Sequence, residues 1–131
     1  MSSQNRPLSP HLEVYKLPLT GIISISHRIT GVGLSVGTLL LACWLMAAAT
    51  GAESYASING FLGSWFGMVL MFLWSAAFFF HLSNGLRHLF WDTGRGLDKA
   101  DVEKSAEAVL ISTAVLTVLT WIIALASGGA S

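Results

Sequence analysis

The sequence predicts an all-α membrane protein with three transmembrane helices, and two observations lead to that fold class. Of the 131 residues, 53% are hydrophobic and only 11% are charged, a balance outside the range of most soluble domains. Three stretches are also long and apolar enough to cross about 30 Å of hydrocarbon. Because a backbone in lipid must satisfy its own hydrogen bonds, each stretch is expected to be helical. We expect a single domain over residues 1–131.

The first predicted element is a polar leader over residues 1–19, followed by a helix over about 20–50. The last proline of the leader and Thr20 indicate the helix start, since proline and a threonine cap both favour one. Further along this helix, Gly33 and Gly37 form a small-residue pair. Residues of that size and spacing let another helix approach closely, so we predict a packing surface there.

The remaining elements alternate with connections. Residues 51–60 are predicted to form a short external loop, and helix two follows over about 61–91. Aromatic residues near both of its ends are typical of a helix that meets the two membrane–water interfaces. The mixed charges and glycines of 92–104 predict a second loop, and helix three covers about 105–126.

The positions of the charges predict the orientation in the membrane. All seven lysines and arginines lie before the first uncharged stretch or between the second and third, whereas the first loop carries only Glu53. By the positive-inside rule, the N-terminus and the second loop face the cytoplasm or the mitochondrial matrix. The net charge of zero gives no electrostatic case for nucleic-acid binding. The single cysteine, Cys43, excludes an internal disulfide and cannot by itself hold an iron–sulfur cluster.

His81 lies about two turns inside the cytoplasmic end of helix two, where an ionisable side chain is costly and usually has a partner. Gly85 and His88 share its helix face at spacings of four and seven. Gly85 would leave flat space beside the imidazole for a porphyrin, whose iron takes neutral imidazole as an axial ligand. His88, nearer the water, would meet the charged propionate edge. The spacing alone slightly favours the alternative, a buried histidine that is hydrogen-bonded to a neighbouring helix.

One chain does not offer two obvious axial ligands. His81 and His88 lie about 10 Å apart along one helix, so they cannot bind opposite faces of one iron. His27 is the other candidate near the membrane, but its depth looks shallower than that of His81. A haem with two histidine ligands is therefore expected to take the second one from another subunit.

Ser24 and Arg28 form a second constellation at the cytoplasmic start of helix one. Their spacing of four places hydroxyl and guanidinium on the same side. Two donors beside an apolar wall suit a quinone, whose carbonyl oxygens accept hydrogen bonds and whose tail prefers lipid. Arg28 can also stabilise negative charge on a reduced quinone or a haem propionate. Spacing alone favours the alternative, an arginine that extends to lipid phosphates.

Three stretches together resemble one known family. They are RPLSPHLEVY (6–15), SISHRITG (24–31) and HLSNGLRHLFWDTG (81–94), and they are similar to the cytochrome b membrane-anchor subunit of succinate dehydrogenase, respiratory complex II. The family pattern has an Arg-Pro leader, then Ser-x-x-His-Arg-x-Ser/Thr at helix one. It closes helix two with His-x-x-x-Gly, an apolar residue, Arg-His, an aromatic residue and Asp-x-Gly. The resemblance covers most of the chain; helix three matches only in placement and hydropathy.

The resemblance implies site residues and partners. His81 matches the axial ligand of haem b, and His27 and His88 look like neighbours of the haem propionates. Ser24 and Arg28 match residues that line the ubiquinone site. The second haem ligand would come from a second membrane-anchor subunit, which packs with this chain into a haem-containing helix bundle. An iron–sulfur subunit and a flavoprotein subunit would dock on the cytoplasmic side.

The implied function is that of a membrane-anchoring cytochrome b subunit of succinate:ubiquinone oxidoreductase. The chain has no nucleotide-binding glycine motif and no cysteine cluster, so we expect no complete active site in it alone. Two alternatives are the anchor of a fumarate reductase and a structural anchor without a cofactor. The opening MSSQN lacks an arginine-rich transit peptide, which favours a bacterial cytoplasmic membrane over the mitochondrial inner membrane.

Overall fold

The computed structural model describes residues 15–128, and within that range the chain forms four α-helices. They are α1 (Leu19–Thr50), α2 (Ala52–Leu62), α3 (Trp65–Asp92) and α4 (Lys99–Gly128). Helices α1, α3 and α4 are each long and apolar enough to cross a membrane. Most of the predicted leader, residues 1–14, lies outside the described residues.

Two connections differ from the prediction. The external loop predicted over 51–60 is the helix α2, and α4 already begins at Lys99 rather than near residue 105. Gly51 separates α1 from α2 with a φ of 148°, a conformation that favours glycine, so the chain turns there and resumes as a helix without a loop. The charged first turns of α4 extend beyond the apolar stretch, and hydropathy detects only the apolar part of such a helix.

Helix α3 lies at the centre of the bundle. It packs against α1 and α4, which also touch each other, while α2 contacts α1 and α3. The fully packed core is small and consists of Ile23, Phe80, Ala106 and Val109. All four lie toward the predicted cytoplasmic end of the long helices, next to the histidines. Elsewhere many large apolar side chains remain exposed on the bundle surface, as expected for helices that contact lipid.

Helix α2 is attached to both of its neighbours. The Trp44 indole Nε1 donates a 3.0 Å hydrogen bond to Asn59 Oδ1. Ser64 caps α3 by accepting a 3.2 Å hydrogen bond from the Gly67 amide. At Gly67 a Cβ atom would overlap the Phe61 carbonyl oxygen, so glycine allows the close turn from α2 into α3. These contacts determine how α3 enters the bundle.

Arg87 joins α3 to α4. Its side chain is only 7% exposed, and its Nε and Nη2 atoms donate 2.9 Å hydrogen bonds to Ser105 Oγ and the Val102 carbonyl oxygen. Nη1 donates to Asn84 Oδ1 at 3.2 Å, and the guanidinium carbon lies 4.0 Å from the centre of the Trp91 ring. All acceptors are neutral, so this buried cation is held without an acidic partner in the described chain.

The predicted small-residue surface of α1 is used unevenly. A Cβ atom at Gly37 would overlap the Trp74 indole, whereas one at Gly33 would meet nothing within 4 Å. Gly33 instead lines an apolar cavity of about 560 Å³ between α1 and α3. Within this chain, then, Gly37 admits one large side chain rather than a whole helix.

Candidate functional site

The structure brings three of the predicted site residues together where α1 passes α3. The rings of His27 and His81 stack with their centroids 3.8 Å apart and their planes 8° from parallel. The His88 ring lies 5.6 Å from that of His27 and is tilted by 43°. His27 and His81 are half-buried, while His88 is exposed. The three imidazoles therefore form one row that leads from the packed interior to the surface.

Two acceptors on α1 contact the Nδ1 atom of His81. The His27 carbonyl oxygen is 3.1 Å away, and Thr30 Oγ1 is 3.2 Å away. The single hydroxyl proton of Thr30 is directed to backbone carbonyls one turn earlier, at 2.8 Å from that of Ser26 and 3.0 Å from that of His27. Because a carbonyl oxygen can only accept, His81 Nδ1 must carry the proton that is shared between these two acceptors.

This assignment leaves the Nε2 atom of His81 without a proton and with a free lone pair. A histidine that binds a metal through one ring nitrogen usually donates its other N–H to a carbonyl or a similar acceptor, which sets the tautomer and raises the basicity of the ligating nitrogen. His81 has such an acceptor, the His27 carbonyl oxygen on α1. The hydrogen bonds from His81 Nδ1 to α1 therefore match the pattern of a metal-binding histidine.

Glycines provide the space around His81. A Cβ atom at Gly31 would stand 3.0 Å from His81 Cε1, so the imidazole packs closely against the backbone of α1 at this glycine. A Cβ atom at Gly85, one turn further along α3, would meet nothing within 4 Å. The surface of α3 at Gly85 is therefore open, as the passage of a flat ring system along this helix would require. The donor set and the open space are both compatible with a porphyrin.

The stacked arrangement bears on the second axial ligand. Two axial ligands approach an iron from opposite sides with their ligating nitrogens directed at each other. Rings stacked face to face, as His27 and His81 are, present their nitrogens side by side and cannot bind one iron in that way. The Nδ1 atom of His27 is buried and has no hydrogen-bond partner in the described part of the chain.

Ser24 and Arg28 lie on α1, within one turn of His27. Ser24 is half-buried and Arg28 is exposed. Among residues 15–128, neither side chain makes a hydrogen bond or ion pair. Both donors are consequently unpaired among the described residues.

The sequence interpretation missed two sets of contacts. Thr30 closes the Ser-x-x-His-Arg-x-Ser/Thr motif but has no predicted role, although it lies one turn after His27 on the same helix, a spacing that places both on one face. Asn84, Arg87 and Trp91 follow one another at spacings of three and four on α3, so they share the face that contacts α4. That periodicity was the available signal, but hydropathy assigns an arginine near a helix end to the surface.

Comparison with known proteins identifies the family. A family model described as succinate dehydrogenase/fumarate reductase transmembrane subunit matches residues 2–120. The chain belongs to this family. The succinate dehydrogenase cytochrome b556 subunit of Paracoccus denitrificans is 45% identical over 119 residues, which cover 91% of this chain and 92% of that protein. That of Rickettsia felis is 38% identical over 117 residues, covering 89% and 91%.

A mitochondrial relative is similar as well. The succinate dehydrogenase cytochrome b560 subunit of Bos taurus is 35% identical over 116 residues, which cover 87% of this chain and 69% of that protein. The predictions of a succinate dehydrogenase anchor family and of an all-α membrane bundle are confirmed. The chain is a multi-pass transmembrane subunit of this family.

Proposed function

We propose that this subunit anchors a succinate:ubiquinone oxidoreductase in the membrane, provides one axial ligand to haem b and forms part of the ubiquinone-reduction site. The observation that carries the proposal is His81, whose Nδ1–H is bonded to the His27 carbonyl oxygen at 3.1 Å, which leaves its Nε2 without a proton. The cytochrome b names of the relatives give independent support.

In this proposal His81 Nε2 would hold the haem iron, and a second membrane-anchor subunit would supply the other ligand. The stacking of His27 on His81 supports a partner ligand, because His27 is not available on the opposite face. The haem propionates would lie near His27 and His88, toward the charged connection between α3 and α4. Haem b, when bound, supplies a one-electron redox centre inside the bundle.

Ser24 and Arg28 would hold ubiquinone at the cytoplasmic start of α1. The Ser24 hydroxyl and the Arg28 guanidinium donate hydrogen bonds to the quinone carbonyl oxygens. Negative charge grows on those oxygens as the quinone is reduced, and a cation placed beside them stabilises it. The electrons would arrive from an iron–sulfur subunit, and a flavoprotein subunit would oxidise succinate, because this chain has one cysteine and no cluster motif.

The proposed location is a bacterial cytoplasmic membrane, with the N-terminus and the connection between α3 and α4 on the cytoplasmic side. The asymmetry of lysine and arginine supports this orientation. In this orientation Ser24, Arg28 and His88 would lie on the side where the soluble subunits would dock.

The test is a reduced-minus-oxidised absorbance spectrum of membranes that contain the assembled complex, with wild type beside His81→Leu. We expect the b-type signal to disappear in His81→Leu while immunoblots show equal amounts of all subunits. A b-type signal of wild-type size in the variant would refute the haem assignment and favour an anchor that binds no cofactor through this residue.

A further inference from the structure

We propose that Thr30 is a positioning residue that tunes the reduction potential of the metal bound by His81. The inference rests on the proposed haem ligation and extends it from the ligand to the groups that control the ligand. It starts from one geometric fact: the Thr30 hydroxyl oxygen lies 3.2 Å from His81 Nδ1, on the side of the ring away from Nε2.

The direction of the hydrogen bonds makes Thr30 an acceptor. Its only proton points to the Ser26 carbonyl oxygen at 2.8 Å, which orients the oxygen lone pairs toward α3. His81 Nδ1–H then has two acceptors, the hydroxyl and the His27 carbonyl oxygen at 3.1 Å. Since the carbonyl belongs to the backbone, no side-chain substitution removes it. The Thr30 hydroxyl is therefore the acceptor that a substitution can remove.

Each acceptor on Nδ1–H pulls the proton away from the ring and raises the electron density at Nε2. A more electron-rich ligand stabilises ferric over ferrous iron and so lowers the reduction potential. Loss of the hydroxyl weakens this effect while the carbonyl keeps Nδ1–H satisfied. The ligand therefore stays in place, its tautomer is unchanged, and the potential of the bound haem rises.

The size of the shift follows from the usual effect of such partners. Removing a group that bonds a ligating histidine changes metal affinity by about 10- to 100-fold. We take the low end, about tenfold in the ferric-to-ferrous preference, because one of the two acceptors remains. On a one-electron couple a tenfold change equals about 59 mV.

The experiment is a potentiometric titration of the haem in the assembled complex for wild type and three variants. Thr30→Val removes the hydroxyl and preserves the shape of the side chain, whereas Thr30→Ser restores the hydroxyl. Thr38→Val is the matched control, because Thr38 donates a 2.9 Å hydrogen bond to the Leu34 carbonyl on the same helix, is exposed and does not contact His81. Haem content is measured in parallel as the pyridine haemochrome.

We expect Thr30→Val to keep wild-type haem content and to raise the midpoint potential by about 59 mV, a tenfold change in the ferric-to-ferrous preference. Thr30→Ser and Thr38→Val should titrate like wild type. The low-temperature electron paramagnetic resonance spectrum of the ferric haem should change only in Thr30→Val, since it reports the ligand field of the imidazole. A purely structural role for Thr30 would lower haem content without moving the potential of the haem that remains.

An unchanged midpoint potential in Thr30→Val at full haem content overturns the inference. If Thr30→Val does not assemble, Thr30→Ala is compared with Thr30→Ser under the same criterion. His81→Leu separates the two proposals: if it retains the haem, the ligation proposal is wrong and this inference is wrong with it. If His81→Leu loses the haem while Thr30→Val titrates like wild type, only the role of Thr30 is refuted.

Discussion

Arg87 holds α3 against α4 through its hydrogen bonds. We therefore predict that Arg87→Leu lowers the free energy of unfolding more than the same replacement of an exposed arginine does. The Val102 carbonyl oxygen also accepts a 3.0 Å hydrogen bond from Ser105 Oγ, so we expect that acceptor to keep a partner in the variant. The Asn84 side-chain oxygen loses Nη1 at 3.2 Å, its one donor among the described residues, at a position that is fully buried. The substitution therefore isolates one buried polar group.

The expected cost combines three losses and one opposing gain. A buried acceptor left without a donor costs about 1–3 kcal/mol, and loss of the cation over the Trp91 ring costs about 1 kcal/mol. The two hydrogen bonds to α4 add about 1.5 kcal/mol each, but removing a buried charge returns much of its desolvation cost. We expect the free energy of unfolding to fall by about 3 kcal/mol.

The assay is unfolding of the purified subunit in mild detergent by increasing sodium dodecyl sulfate, followed by near-ultraviolet circular dichroism. Arg95→Leu is the control, because Arg95 is exposed in the turn between α3 and α4. The double variant Asn84→Leu/Arg87→Leu removes donor and acceptor together. It should be less destabilised than the sum of the single variants by about 1–2 kcal/mol, since no buried acceptor is left unpaired.

Two results would refute this reasoning. One is an effect of Arg87→Leu no larger than that of Arg95→Leu, which would mean that the hydrogen bonds to α4 contribute little. The other is strict additivity of Asn84→Leu and Arg87→Leu, which would mean that the two side chains do not depend on each other.

Two further predictions concern the site itself. Ser24→Ala and Arg28→Leu should each slow succinate-dependent ubiquinone reduction at least tenfold, because each removes a donor to the quinone. Succinate oxidation by an artificial acceptor should stay at the wild-type rate. Normal quinone reduction in both variants would exclude this site. Gly31→Ala should lower haem content or alter the haem spectrum, because the added Cβ atom would stand 3.0 Å from His81 Cε1. Gly33→Ala is its matched control, since a Cβ atom there meets nothing within 4 Å; equal spectra for the two variants would contradict the close seating of the imidazole.

Much of the fold was predictable because it depends on local composition. Long uncharged stretches predict membrane-spanning helices, because a backbone in lipid must form its hydrogen bonds within the segment. Helices α1, α3 and α4 are long and apolar enough to be those spans. The placement of His81, Gly85 and His88 on one face of α3 also follows from helical periodicity alone. Helix α2 was not predictable from hydropathy, because its sequence, AESYASINGFL, is short and mixed in polarity.

The sequence by itself determined the membrane class, the three spans, their expected orientation and the family motifs that single out His81, Ser24 and Arg28. Only the tertiary structure decided that the ring of His27 stacks on His81, that Thr30 is a second acceptor for Nδ1, and that Arg87 is buried against α4. The physical reason is that periodicity sets which residues share a face of one helix, but not which faces of two helices meet. In a lipid-facing bundle nearly every face is apolar, so hydropathy does not distinguish the packed side, and contacts between residues more than fifty positions apart depend on how the helices pack.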